Sequence, residues 1–182
     1  MRFHMFADVV RGKRFLMALI LIVGMSCVNG VPAKAAKTVR GAATKDQAFK
    51  KYFKTLNNRD GKGFVYITCT SGLEQSLDLL TADQTSDTYV GYIQNFMDKS
   101  PYSYKEIKKG KYKKISAKQK GKYEKTLRRL PKASENKPDL KGAYSVKIKY
   151  KGKASSESKW GKYESVLILY KSAGRWFVLD VD

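Results

Sequence analysis

The sequence predicts an α+β fold, with helices in the first part of the chain and an antiparallel sheet at its end. Between residues 44 and 97, apolar side chains recur at the spacing of amphipathic helices. Residues 144–150 then alternate between apolar and polar side chains, as the residues of a half-buried strand do. The apolar run 166–170 and a final predicted strand, 175–182, follow, joined by the four-residue turn 171–174. These patterns predict an antiparallel meander, and a chain of 182 residues fits one domain.

Residues 1–35 are predicted to be a bacterial signal peptide, because a basic start precedes an apolar run. The run Phe15–Met25 is too short for a membrane-spanning helix, which needs about 20 residues. Small side chains at Ala33 and Ala35 occupy the two positions that a signal peptidase reads. Cleavage between Ala35 and Ala36 is therefore predicted, and the protein is expected to be secreted, either free in the extracellular space or associated with the cell surface.

Two other interpretations of this leader stay open. A lipoprotein could be anchored through Cys27, although Gly24 stands where the lipid-attachment motif normally carries an aliphatic residue. An uncleaved membrane anchor is the third interpretation. After the predicted cleavage the chain keeps no His, and Cys69 is its one Cys. These counts exclude metal sites built from His and Cys, and a cysteine nucleophile activated by His. No cofactor, metal site or catalytic residue is predicted, and Cys69 is expected to be a small core residue.

The helices of the first half follow from caps and spacing. Thr44 and Gln47 form a capping-box pattern in front of a helix with apolar residues at positions 49, 52, 53 and 56. The segment 64–70 favours a strand by composition, but a short helix stays open because seven residues are too few for periodicity to decide. Leucines at three positions within 73–80 predict a short helix, and 89–97 predicts an amphipathic helix.

The basic middle of the chain is predicted to contain a strand and a helix. Residues 102–115 are predicted to form a strand with a turn at Gly110, with a helix left open. Ser116 and Gln119 repeat the capping-box pattern at the start of a basic helix that is expected to end at Leu130.

The order of these elements resembles the NTF2-like, or cystatin-like, roll. The stretch Asp46–Asp60, which reads DQAFKKYFKTLNNRD, is similar to the helix and turn on which many small secreted domains of this fold begin. The closing strand 174–182 is similar to theirs as well. The resemblance covers 44–182, after a flexible leader at 36–43, and implies one domain with N-terminal helices packed on a curved antiparallel sheet. The segment 99–141 is longer than the family's usual middle.

The resemblance implies a binding or accessory domain. Enzymes of the family place Asp and His in the conical cavity of the roll, and no such motif matches this sequence residue by residue. No catalytic residue is therefore carried over, and the fold class alone gives no function.

Positive charge is concentrated in one part of the chain. Residues 99–153 hold 20 basic and 4 acidic side chains, whereas the segments on either side of it, 36–98 and 154–182, are close to neutral. We call residues 99–153 the basic belt. Its densest part consists of Lys105, Lys108, Lys109, Lys111, Lys113, Lys114, Lys118, Lys120, Lys122, Lys125, Arg128 and Arg129.

A block of this charge attracts polyanions. Lysine outnumbers arginine in it, and the compact ammonium group suits diffuse phosphate contacts better than bidentate reading of bases. The predicted partner is an anionic cell-wall polymer or a membrane surface, without sequence-specific binding of nucleic acid. The alternative is a solvated basic face that confers only solubility.

Two further sites are conceivable. Tyr144, Tyr150, Tyr163, Tyr170 and Trp176 could line a concave pocket for a small ligand or peptide, although aromatic residues at strand spacing are more often core. Asp180 and Asp182 would share one face of the last strand, where a carboxylate pair could bind a cation or serve an enzyme of this fold. The main hypothesis is a secreted, non-catalytic domain that associates with anionic cell-surface polymers through the basic belt.

Overall fold

The computed structural model describes residues 39–81, 89–99, 102–128, 138–153 and 159–179. This part of the chain has an α+β fold with five helices and a four-stranded antiparallel sheet. The elements in chain order are α1 Lys45–Asn58, α2 Gly61–Thr68, α3 Ser71–Thr81, α4 Tyr89–Lys99, β1 Ser103–Lys114, α5 Ala117–Leu127, β2 Tyr144–Lys153, β3 Gly161–Ser172 and β4 Arg175–Leu179. The predicted signal peptide, its cleavage site and the pair Asp180 and Asp182 lie outside the described residues.

Both predicted capping boxes are confirmed. At the start of α1, the Gln47 backbone N–H donates to the Thr44 hydroxyl at 3.2 Å, and the Gln47 side chain accepts from the Thr44 backbone N–H at 3.3 Å. Ser116 and Gln119 make the same pair of hydrogen bonds at the start of α5. Each box satisfies two backbone donors that a helix start leaves without partners. Helix α5 ends at Leu127, earlier than the predicted end at Leu130.

Residues 64–70 belong mainly to a helix, although their composition favours a strand. Helix α2 begins after Asp60, whose carboxylate accepts a hydrogen bond from the Gly63 backbone N–H at 2.7 Å. A Cβ on Gly63 would lie 2.1 Å from the other Asp60 oxygen, so only glycine permits this close cap. The cap therefore outweighs the strand preference of the following residues.

The sheet is a meander in the order β1-β2-β3-β4, as the sequence predicts for its last three strands. The turn predicted at Gly110 is wrong, because β1 continues through that residue. Its pairing with β2 shifts register twice instead, between Lys105 and Lys108 and between Lys109 and Tyr112. Each shift inserts one extra residue into β1, which a β-bulge accommodates without ending the strand.

The turn between β3 and β4 is shorter than the predicted four residues. Ser172 still pairs with Arg175, so that only Ala173 and Gly174 form the loop. Their φ angles of 46° and 78° are those of a two-residue type I′ hairpin, which matches the twist of the strands it joins.

Two hydrophobic clusters form the core. The larger cluster combines residues of α1–α4 with residues of the sheet such as Val146, Ile148, Leu167 and Val178. The smaller cluster combines Tyr123 and Leu127 of α5 with residues of β3 and β4, among them Ile168 and Tyr170. Since successive residues of a strand point to opposite faces, Leu167 and Ile168 place the two clusters on opposite faces of the sheet.

The end of the segment predicted to be a flexible leader is bonded to the fold. The Gly41 backbone N–H donates to the Tyr66 carbonyl at 2.7 Å, and Ala42 and Trp176 exchange two backbone hydrogen bonds at 2.9 and 2.8 Å. Ala42 is buried and extends the sheet by one bridge beside β4. Within the described ranges, no helix is long and apolar enough to cross a membrane.

Candidate anionic-polymer interface

One face of the sheet carries a group of lysines that the strand register brings together. Lys105 pairs with Lys151, and Lys108 pairs with Lys149, so these side chains share a face. Positions two apart on a strand share that face too, and Lys162 joins it because it pairs with Lys151 from β3. We call this surface the basic face; its members are Lys105, Lys108, Lys113, Lys147, Lys149, Lys151, Lys153 and Lys162.

The lysines of the basic face form rows across neighbouring strands. Lys105, Lys151 and Lys162 make one row over three strands, and Lys108 and Lys149 begin the next. Like charges directly opposite each other destabilise a sheet. Two exposed ammonium groups about 4 Å apart in water repel by roughly 1 kcal/mol, a cost that an anion bound between them would remove.

Two glutamates partly offset this repulsion. Glu106 accepts from the Lys151 ammonium at 2.7 Å, and Glu164 accepts from the Lys149 ammonium at 2.6 Å. In each case the hydrogen bond from the lysine is the main reason that the pKa of the carboxyl group lies below its usual value. Both carboxylates are therefore ionised at neutral pH. Lys108, Lys147 and Lys162 form no salt bridge with any other described residue.

An exposed tryptophan borders the basic face. The Trp160 side chain is 37% exposed, and the Lys105 ammonium lies 4.0 Å from the centre of one of its rings. The Lys153 ammonium lies 5.4 Å from it. An aromatic ring beside two lysines combines an apolar contact surface with positive charge.

Helix α5 adds positive charge on the same side of the sheet. Tyr123 and Leu127 are buried against Ile168 and Tyr170, which lie on the face that also carries the basic face. The charged residues of α5 therefore lie away from this contact. Lys120 is partly neutralised by Glu124 at 3.6 Å, whereas the exposed cations of the helix and its C-cap are Lys118, Lys122, Lys125 and Arg128.

The structure does not bring the whole predicted belt together. Lys109 and Lys114 pair with Ile148 and Tyr144, which places them on the opposite face. Lys109 is neutralised there by a salt bridge with Asp46. Lys111 is exposed at the second bulge of β1, and Arg129 lies outside the described residues.

Several members of the basic face lie outside the densest part of the basic belt. Lys147, Lys149 and Lys151 belong to the belt by position, but their importance comes from the register that sets them opposite β1. The alternation of lysine with apolar residues in β2 was the signal that could have found them. Lys162 and Trp160 had no such signal, because only the pairing of β3 places them beside the others.

The five aromatic residues proposed as a pocket lining are divided between the two faces. Tyr144, Tyr150, Tyr163 and Trp176 lie on the face of the larger cluster, where Tyr150 and Tyr163 stack with their ring centres 5.6 Å apart. Tyr170 lies in the smaller cluster, where it stacks on Phe177 at 5.5 Å. These residues therefore do not surround one concavity.

No protein-family model matches the sequence, and no curated protein or solved structure is significantly similar to it. A function for this chain is therefore argued from its fold class and from the geometry of the basic face.

Proposed function

We propose that this chain is a secreted, non-catalytic domain that binds anionic cell-surface polymers through the basic face and the outer side of α5. The observation that carries the proposal is the row of directly opposed lysines Lys105, Lys151 and Lys162. A fold under no demand for anion binding gains nothing from like charges in register, because they weaken the sheet.

The chemistry of the face suits a flexible phosphate polymer. Adjacent strands lie about 4.8 Å apart, so the rows place lysines on neighbouring strands within reach of successive charges of one polymer chain. Each contact is weak and exposed, and affinity would come from many contacts that release counterions from the polymer. A base-reading element is not part of the proposal, so binding to nucleic acid would show no sequence preference.

Location and fold family are part of the same proposal. The apolar run and the Ala33–Ala35 motif support secretion. Four helices followed by an antiparallel sheet, with α5 inserted between β1 and β2, support an NTF2-like roll. Secretion and the fold family rest on sequence pattern and element order. If either one is refuted, the arrangement of lysines on the basic face is unchanged.

The test removes charge from the basic face without touching its salt bridges. The variant Lys108→Gln, Lys147→Gln, Lys162→Gln lowers the net charge by three at exposed positions. We expect it to leave a column of purified wall polymer at lower salt than the wild-type protein. A plot of log affinity against log salt should also be shallower, since the slope for duplex DNA is about −0.9 per phosphate neutralised and each lost contact reduces it.

The matched control removes the same charge elsewhere. Lys50→Gln, Lys54→Gln, Lys99→Gln alters exposed lysines of α1 and α4, away from the basic face. Its retention should stay close to that of the wild type. If the two triple variants shift equally, net charge and not the basic face controls binding. Retention on anionic vesicles but not on the polymer would reassign the partner to a membrane surface.

A further inference from the structure

Three aromatic rings surround the ammonium group of Lys45. The Lys45 nitrogen lies 3.6 Å from the ring centre of Tyr144, 5.2 Å from that of Tyr112 and 5.3 Å from that of Trp176. Tyr144 and Trp176 also contact each other edge to face at 5.9 Å. All three distances to the nitrogen are within the range of about 6 Å over which a cation is attracted to a ring. We call these three residues the aromatic cage.

The cage is built by the sheet and not by Lys45. Tyr112, Tyr144 and Trp176 come from β1, β2 and β4, and the register places them on the face opposite the basic face. All three residues are half-buried, so part of each stays in contact with solvent. Lys45 reaches it from the first residue of α1, on a long side chain that can also extend into water.

Lys45 is an imperfect occupant of the cage. A lysine ammonium has three N–H donors, and the faces of aromatic rings are weaker acceptors for them than water is. An ammonium that enters the cage therefore gives up part of its strong hydration, which is a cost. A quaternary ammonium group carries the same charge and no N–H donor, so the cage would hold it without that cost.

A carboxylate beside the cage fixes the position of one of its rings. This carboxylate, Asp46, also forms a salt bridge with Lys109, whose ammonium lies 4.6 Å from the centre of the Tyr112 ring. Asp46 accepts a hydrogen bond from the Tyr112 hydroxyl at 2.9 Å. The hydrogen bonds from Lys109 and Tyr112 hold the pKa of Asp46 below its usual value, so the carboxylate is ionised at neutral pH. Burial and the bond to Asp46 raise the pKa of Tyr112, so this ring stays a neutral phenol.

We propose that the aromatic cage binds a quaternary ammonium group of the choline type, and that Lys45 is an internal competitor that leaves the cage when the ligand enters. The ligand gains the three ring contacts, and Lys45 recovers its hydration. Because the cage and the basic face lie on opposite faces of the sheet, this site does not depend on the proposed binding of anionic polymers.

The chain contains two tryptophans, and this makes the cage directly observable. In a Trp160→Phe background, Trp176 of the cage is the sole tryptophan and reports on the site by fluorescence. Choline titrated at constant ionic strength should change its emission saturably. Lys45→Gln in the same background should bind choline more tightly, by about tenfold if Lys45 leaves the cage free about one-tenth of the time.

Two controls separate a cation site from an apolar pocket. The neutral isostere 3,3-dimethylbutan-1-ol has the shape of choline without its charge and should cause no saturable change. Tyr144→Ala, which removes the nearest ring, should abolish the choline response of the Lys45→Gln variant while thermal unfolding still shows a folded protein. The proposal is overturned if the isostere binds as well as choline, or if folded Lys45→Gln protein shows no saturable response.

If Lys45→Gln fails to fold, the Trp160→Phe protein is the test. Its Trp176 fluorescence should still change saturably with choline, at a higher choline concentration. Phosphatidylcholine vesicles then identify the source of the group. Co-sedimentation that Tyr144→Ala abolishes assigns it to a lipid headgroup, and a choline response without co-sedimentation assigns it to a soluble or polymer-borne choline; both outcomes uphold the site.

Discussion

At the scale of single residues, Cys69 shows how burial sets chemistry. The predicted burial is confirmed, with 5% of the residue exposed, and burial raises the pKa of its thiol to about 12. The nearest polar contact is the Thr68 hydroxyl, 3.6 Å from the sulfur. Since the thiolate is the reactive species, Cys69 is chemically inert in the folded protein.

We expect the native protein to react with a thiol reagent at pH 8 only as fast as it unfolds. Cys69→Ser should destabilise the fold by about 1–3 kcal/mol, because a hydroxyl is more costly to bury than a thiol. Denaturant titration measures this loss of unfolding free energy. The control Cys69→Ala introduces no polar group, so comparing it with Cys69→Ser separates the cost of the buried hydroxyl from that of the lost volume. Labelling of the folded protein at the rate of a free thiol would contradict the buried position.

At the scale of elements, two glycines provide a matched pair. Gly174 is the second residue of the β3–β4 turn with a φ of 78°, and Gly121 lies inside α5. A Cβ on either residue would meet no other described atom within 4 Å. Space is therefore equal at both sites, and only the backbone conformation differs.

The same substitution should have opposite effects at these two sites. Gly174→Ala forces an L-residue into the left-handed region and should destabilise the fold by about 1 kcal/mol. Gly121→Ala should stabilise it by about 0.5–1 kcal/mol, because alanine loses less backbone entropy in a helix. Urea unfolding of both variants measures the difference, and a change of the same sign in both would refute this account of the turn.

The elements also show which features a sequence can predict. The caps at Thr44 and Ser116 are readable because donor and acceptor lie three residues apart. The helix over residues 61–68 is not, because its start depends on the close approach of Asp60 to Gly63. The bulges of β1 are hidden as well, since they exist only relative to the register of β2.

The candidate site follows the same rule. The excess of lysine in residues 99–153 is visible in the sequence, but the two bulges decide which lysines share a face. Lys108 joins the basic face whereas its neighbour Lys109 binds Asp46 on the other side. Composition predicts that this segment is rich in positive charge. Which face of the sheet carries the charged side chains follows only from the tertiary structure.

At the scale of the whole molecule, the glutamates of the basic face link polymer binding to pH. Glu106 and Glu164 each hold one lysine, and both have a pKa below the usual value. A bound polyanion would compete for those lysines and repel the carboxylates, so the pKa of each carboxyl group would be higher in the complex. Protonation of the glutamates therefore favours binding.

The affinity for a phosphate polymer should be constant between pH 5 and 8 and should rise as the pH falls below about 4.5, the ordinary range of glutamate. Because the pKa of each glutamate is low, the two salt bridges stabilise the fold above that pH range, and this stabilisation is lost as the pH falls. Circular dichroism must therefore show a folded protein at each pH.

The variant Glu106→Gln, Glu164→Gln mimics the protonated state at neutral pH. It should be retained on the polymer to higher salt than the wild type at pH 7 and should lose the rise at low pH. Retention equal to that of the wild type at pH 7 would mean that the polymer does not contact Lys149 and Lys151, the two lysines that the glutamates hold.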